Sequence, residues 1–224
     1  LLEAYSERKV FPTAKFDLEE ASDEEKAARS EVCSFAARAY RQSLITCMQG
    51  SFSQRIAQGK FVITPWRQDR FYLKPEDLLL IEKGKEMDWM AAVHQAIYQA
   101  HPNINSILYC QPPYTMAFAV TKEVLDSRII PESYVMMREI LRFEGAAKLA
   151  DPRKLAELFG ENTPIVLIEN DGILVTGQSM LQAFDRLEVT ENSAMAMVMA
   201  RSLGEMIPID EKGLEEIQAG FHLK

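Results

Sequence analysis

The stretch His94-Gln95-Ala96-Ile97-Tyr98-Gln99-Ala100-His101-Pro102-Asn103-Ile104-Asn105-Ser106-Ile107 decides the fold, together with Leu108-Tyr109-Cys110-Gln111-Pro112-Pro113 that follows it. Its first part closes a helix that begins near Asp88. The residue before a proline avoids helical angles, so the helix stops at His101-Pro102. Residues 105–110 then read as a strand, which Pro112-Pro113 ends before a short helix through Val120. Strand alternation places Tyr109 and Gln111 on one face and Cys110 on the other.

The same alternation of helix and strand runs outward in both directions. The first 21 residues read as an irregular arm, and 22–224 as one domain. Ser22 with Glu25 forms a capping box, and Val32, Phe35, Ala36, Ala39, Tyr40 and Leu44 keep helical spacing toward Gly50. Strands are expected at 51–56, 61–64 and 78–82, with turns at Gln58-Gly59 and Lys83-Gly84. Asp151-Pro152 starts a helix that Gly160 ends. Strands at 165–169 and 173–176 flank Asn170-Asp171-Gly172, a hairpin signature. A long helix at 179–202 and a short one at 210–220 complete the chain. The hairpin spacings argue for a largely antiparallel sheet rather than a doubly wound parallel one.

The chain has 224 residues, 47% hydrophobic and 26% charged, which is ordinary globular composition and excludes a mostly disordered chain. A chain of this length buries about 72% of its unfolded surface, enough for its own core. The net charge of −8, with no Lys/Arg stripe, disfavours nucleic acid as a partner. Three scattered cysteines suit a reducing cytoplasm. No apolar run approaches the roughly 18 residues that span a membrane. The N-terminus does not read as a signal peptide, and without a starting Met the chain is expected to be processed or a piece of a longer one.

Nucleotide-loop, P-loop and nucleophile-elbow patterns are absent. The three histidines are His94, His101 and His222. His94 and His101 lie two helical turns apart, about 10.5 Å, too far to share one metal ion. His94 reads as half-buried on a helix face, His101 as a helix-end residue, and Cys110 as a small buried hydrophobe. Gly50-Ser51-Phe52-Ser53 reads either as a plain turn into a strand or as an anion-binding backbone. The Glu169–Gly172 segment reads either as a carboxylate cluster or as a tight Asx turn. Met195, Met197 and Met199 read as core or subunit packing.

In order and spacing these residues resemble the class II aldolase/adducin family over about residues 27 to 217. Gly50-Ser51-Phe52-Ser53-Gln54-Arg55 is similar to its Gly-Asn-hydrophobic-Ser-x-Arg loop. Val62-Ile63-Thr64-Pro65 is similar to its Leu-Ile-Thr-Pro strand, the His94–Ile107 block to its helix-to-strand unit, and Glu169-Asn170-Asp171-Gly172-Ile173-Leu174-Val175 to its late turn. The resemblance implies an α/β, three-layer α/β/α sandwich with about nine mostly antiparallel strands, and a homo-oligomer, most often a cyclic tetramer. It also implies a divalent metal, commonly zinc, held by a His-x-His pair and a later histidine, stabilising an enediolate as a Lewis acid. A glutamate before the second helix moves the proton.

Set against that pattern, the His-x-His positions are Tyr109 and Gln111, and the later histidine is Asp171. The glutamate falls at Met90, or at Asp88 with a two-residue gap. The phosphate-loop Asn is Ser51, and the Ser/Thr-Gly after Thr-Pro is Trp66-Arg67. The expectation is therefore no metal cofactor, catalytic candidates Asp171, Tyr109, Gln111 and Asp88, and an anion site of Gly50, Ser51, Ser53, Thr64 and Arg67. Three readings stand at this point. One is a metal-free relative binding a small anionic ligand or a partner. Another is a changed aldolase- or epimerase-type enzyme with Asp171 as acid/base. The last is a structural role, as in the adducin head.

Overall fold

In a computed structural model, residues 16–17, 19–82, 88–145 and 151–223 are described. Most of the expected N-terminal arm and the Lys83-Gly84 turn lie outside them. The described residues form seven strands and seven α-helices. The strands are β1 (Ser51–Ala57), β2 (Lys60–Ile63), β3 (Leu79–Glu82), β4 (Ser106–Cys110), β5 (Ile140–Phe143), β6 (Ile165–Ile168) and β7 (Gly172–Gly177). The helices are α1 (Asp23–Arg41), α2 (Trp89–Ala100), α3 (Pro113–Ala119), α4 (Pro131–Met137), α5 (Pro152–Ala156), α6 (Met180–Ala200) and α7 (Glu211–Gly220).

All seven strands join one sheet in the order β3-β2-β1-β4-β7-β6-β5. The β1–β2, β2–β3, β1–β4, β4–β7 and β6–β7 pairs are antiparallel, and β5–β6 is parallel. The sheet is thus mixed and seven-stranded among the described residues, which corrects the expectation of about nine strands. The strand missed from sequence is β5. Its parallel pairing needs a crossover, which passes through α5, so no hairpin turn marks it.

Every residue of the central strand β4 is buried, so both faces of the sheet are covered. Leu108 and Cys110 join one core with Phe52, Leu167, Ile173 and Val175, under α1, α3, α4 and α6. Ile107 and Tyr109 join a second with Phe61, Val166, Ile168 and Leu174, under α2 and α5. Each fully buried aliphatic or Phe side chain contributes about 1.5–3 kcal/mol, so these two cores hold the three layers together. The expected side assignment of Tyr109 and Cys110 holds.

Two helices differ from expectation in how they end. Helix α1 stops at Arg41, not near Gly50. Ser43 takes φ 60, with Leu44 N–H on the Ala39 carbonyl and Ser43 N–H on that of Tyr40. This is a Schellman closure built on serine, where glycine is the usual signal. Ser22 caps α1 as expected, but the Glu25 carboxylate turns to the buried Arg29 at 2.9 Å. Helix α5 ends at Ala156, four residues short of Gly160.

Candidate functional site

Strand β4 delivers Tyr109 to the rim of the sheet, opposite Ser51 at the start of β1 and Leu174 in β7. The Asn170-Asp171 turn joins β6 to β7, with Asn170 at φ 55. Gly172 lets it come close: a Cβ there would lie 2.6 Å from the Cys110 carbonyl and 2.7 Å from Tyr109 Cε2. As a result Tyr109 Oη donates to the main-chain carbonyl of Asp171 at 3.2 Å, and Gln111 Nε2 donates to the same oxygen at 2.6 Å. Gln111 Nε2 also lies 3.5 Å from Tyr109 Oη. The structure brings Tyr109, Gln111 and Asp171 together, through the Asp171 backbone rather than its carboxylate.

Beside this cluster a narrow cleft is lined by Gly50, Ser51, Thr64, Arg70, Trp89 and Tyr109, with Asp88 and Met90 at the start of α2. About 20 Å³ of it admits a water-sized molecule. Gly50 stands at φ +86, and a Cβ there would meet Ile45 Cγ2 at 2.7 Å, so the entry into β1 needs glycine. Ser51 is buried at 5% exposure, and its Oγ has no partner among the described residues. Thr64 Oγ1 accepts the Phe52 N–H at 3.1 Å. Gly50, Ser51 and Thr64 therefore share one wall, as expected.

Ser53 and Arg67 do not join it. Two residues further along β1, Ser53 Oγ is fully buried. It shares hydrogen bonds with Tyr98 Oη at 2.8 Å and His94 Nδ1 at 2.7 Å. His94 is completely buried, not half-buried, and burial pulls its pKa down to about 3. The Tyr98 phenol is pushed up by burial, with the Ser53 hydrogen bond opposing. Arg67 has φ 59 and is exposed, its guanidinium 6.0 Å from the Trp66 ring. The left-handed turn at Arg67 sends that side chain outward and brings Arg70 back instead.

Arg70, which the sequence reading missed, is 1% exposed. Its Nε and Nη2 donate to the Gly50 carbonyl at 3.2 and 2.9 Å, and Nη1 donates to that of Gln68 at 3.0 Å. Burial lowers its pKa to about 10, with Asp88 opposing most strongly. No spacing rule separates Arg67 from Arg70; only the turn geometry does. Asp88 is the N-cap of α2, its Oδ1 accepting the Ala91 N–H at 2.7 Å. Its position on the cleft follows from that cap. The cleft thus combines a helix N-terminus and an unpartnered hydroxyl, groups that favour an oxyanion, with the Asp88 carboxylate and the positive charge of Arg70, whose three guanidinium nitrogens already donate to main-chain carbonyls.

A sequence model of the class II aldolase and adducin N-terminal domain matches residues 30–198. Methylthioribulose-1-phosphate dehydratase of Methylococcus capsulatus is 24% identical over 102 residues, 43% of this chain and 48% of that one. The match therefore spans about half of the dehydratase's length. L-fuculose phosphate aldolase of Methanococcus maripaludis is 25% identical over 153 residues, 64% of this chain and 81% of that one. The solved structure of an aldolase II superfamily protein from Pseudomonas syringae superposes with a TM-score of 0.77. It does so at 18% identity, over 90% of this chain and 87% of that chain, a likeness of fold. With three quarters of its residues inside the family match, the chain belongs to the class II aldolase and adducin family.

Proposed function

We propose that this chain binds a small phosphorylated, sugar-like ligand at the Ser51 cleft and does so without metal-dependent aldol cleavage. The observation that carries the reading is the convergence of Tyr109 and Gln111 on one carbonyl, that of Asp171. Where the resemblance places three metal ligands, an O–H and an N–H are spent as donors on the protein's own backbone. Zinc takes thiolate, imidazole or carboxylate, and of these three residues only Asp171 has such a group. Among the described residues, no group of three or more His, Cys, Asp or Glu is placed to hold a metal. The donor set does not fit zinc. Relatives named for a methylthioribulose phosphate and a fuculose phosphate support a phosphorylated, sugar-like ligand.

In this reading the phosphate sits at the start of α2, against the Ser51 hydroxyl and beside Arg70. Elemental analysis of protein purified without an affinity tag should find zinc far below one equivalent. Calorimetry with L-fuculose 1-phosphate should show binding that Ser51→Ala weakens about tenfold, one charge-assisted hydrogen bond. Near one equivalent of zinc, with an aldolase activity that a chelator removes, would overturn the proposal.

Asp171 supports a second reading, metal-free acid–base chemistry. It is only 9% exposed and lies at the tip where Tyr109 and Gln111 meet. Asp171→Asn would then retain ligand binding and abolish turnover, whereas equal turnover by both proteins would exclude that role.

A further inference from the structure

We propose a second anion-binding site at the far end of the sheet, built on Arg186 and taking a small molecule that bears a phosphate or carboxylate. The Ser51 cleft lies at the N-terminal end of α2 and the start of β7. A separate pocket of about 310 Å³ lies at the opposite ends of both, against His101 and against Thr176 and Gly177. Helix α2 has 12 residues and so puts about 18 Å between the two. The volume is that of a small-molecule site.

Arg186 reaches into this pocket from α6. Its Nη1 donates to the Thr176 carbonyl at 2.6 Å. Its Nε is buried and has no acceptor among the described residues. A guanidinium has five N–H donors, and no carboxylate of the described residues forms an ion pair with this one. Burial lowers its pKa, with Asp185 opposing. Among the described residues this largely buried charge has one acceptor, the Thr176 carbonyl, and an incoming oxyanion on its terminal nitrogens adds a partner that the buried Nε lacks. The forked geometry of arginine suits phosphate and carboxylate above other anions.

The rest of the lining fits such a ligand. Asn103, Gln178 and Gln182 place amide groups around the pocket. Gln178 N–H donates to Gln182 Oε1 at 2.8 Å, which fixes that side chain. Glu161 is the acidic residue of the lining and is exposed, where water screens it. The larger pocket at Arg55 lacks this signature, because the Arg55 guanidinium is spent on the carbonyls of Ile104, Tyr98 and His101.

The test uses the full chain, isotope-labelled, titrated with inorganic phosphate and followed by the backbone amide signals of Gly177 and Gln178. Saturable shifts are expected at these residues. Arg186→Gln should weaken them about tenfold or more. Gln182→Glu keeps an acceptor for the Gln178 N–H and so keeps the fold, while its carboxylate occupies the guanidinium; it should weaken them as strongly. Ser51→Ala should leave them unchanged, which separates this site from the cleft. Shifts that fail to saturate in the wild-type chain, or a Gln182→Glu chain that binds phosphate as the wild type does, would overturn the site.

Discussion

His94 makes a pH-dependent contribution to stability that can be worked out from its surroundings. The ring is fully buried, Nδ1 shares a 2.7 Å hydrogen bond with Ser53, and Nε2 has no partner among the described residues. Protonation would place a charge and a second N–H where nothing accepts it. The folded pKa is about 3, against an ordinary 6.5. A base with a depressed folded pKa binds fewer protons folded than unfolded between those values. Its stabilising contribution is therefore complete above about pH 6.5 and is lost as pH falls toward about 3. From pH 7 to pH 5 the loss is about 2 kcal/mol, since each unit of pH below the unfolded pKa is worth about 1.4 kcal/mol. Carboxylates also respond over this range, so the assay is a comparison. Urea melts of the wild type and of His94→Asn, which retains a partner for Ser53, would be run at both pH values. The wild type should lose about 2 kcal/mol more than the variant. Parallel losses, or an NMR titration placing the His94 pKa above 6, would refute the argument.

Glu191 of α6 accepts the N–H groups of Tyr114 and Thr115 and the Thr115 hydroxyl, all within 2.8 Å, and so caps α3 from outside. Glu191→Ala should cost about 2–4 kcal/mol in a urea melt, and a loss under about 0.5 kcal/mol would remove that cap from the account. Arg67→Ala should leave ligand affinity within about twofold, whereas Arg70→Met should lower stability by about 1–3 kcal/mol through the freed Gly50 carbonyl; the reverse pattern in calorimetry and melting would restore the sequence-based assignment. Met199, Leu203 and Ile207 expose 56%, 88% and 88% of their surface. Light scattering at micromolar concentration should report a homo-oligomer, a tetramer for preference, and a monomer mass would count against it.

The sequence carried most of the fold because its signals were local. Pro102 ended α2, Asn170-Asp171-Gly172 turned β6 into β7, and Ser22, Ser179 and Asp210 each accepted a first-turn N–H. What escaped it depended on distant partners. Strand β5 is defined by its parallel pairing with β6 across a crossover, and α1 ended on a serine in a conformation usually left to glycine. The site divides in the same way. Strand alternation put Tyr109 and Gln111 on one face, and it was the resemblance to the class II aldolase family that grouped Asp171 with them. Ser53 was misplaced because alternation fixes a face and not the depth along it: Ser51 and Ser53 share a face, but only Ser51 reaches the cleft. Arg67 was misplaced because one left-handed residue reverses which of two nearby arginines points inward.

The arrangement around Asp171 explains how the fold keeps its rim closed with these residues in place. The β6–β7 turn must approach β4 closely, as the contacts around Gly172 require. That approach brings the Asp171 carbonyl into a nearly dry site, where an unpaired acceptor would cost about 1–3 kcal/mol. Tyr109 and Gln111 meet it from the face of β4 that alternation assigns to both. Each is long enough to reach the turn and ends in a donor, and neither needs a charge to do so. Histidine side chains could also donate there, but an imidazole nitrogen spent on the carbonyl could not serve a metal through the same atom. In this chain the rim is fastened by neutral hydrogen bonds within the chain itself. On the proposed metal-free reading, a chelator should leave the unfolding transition unmoved.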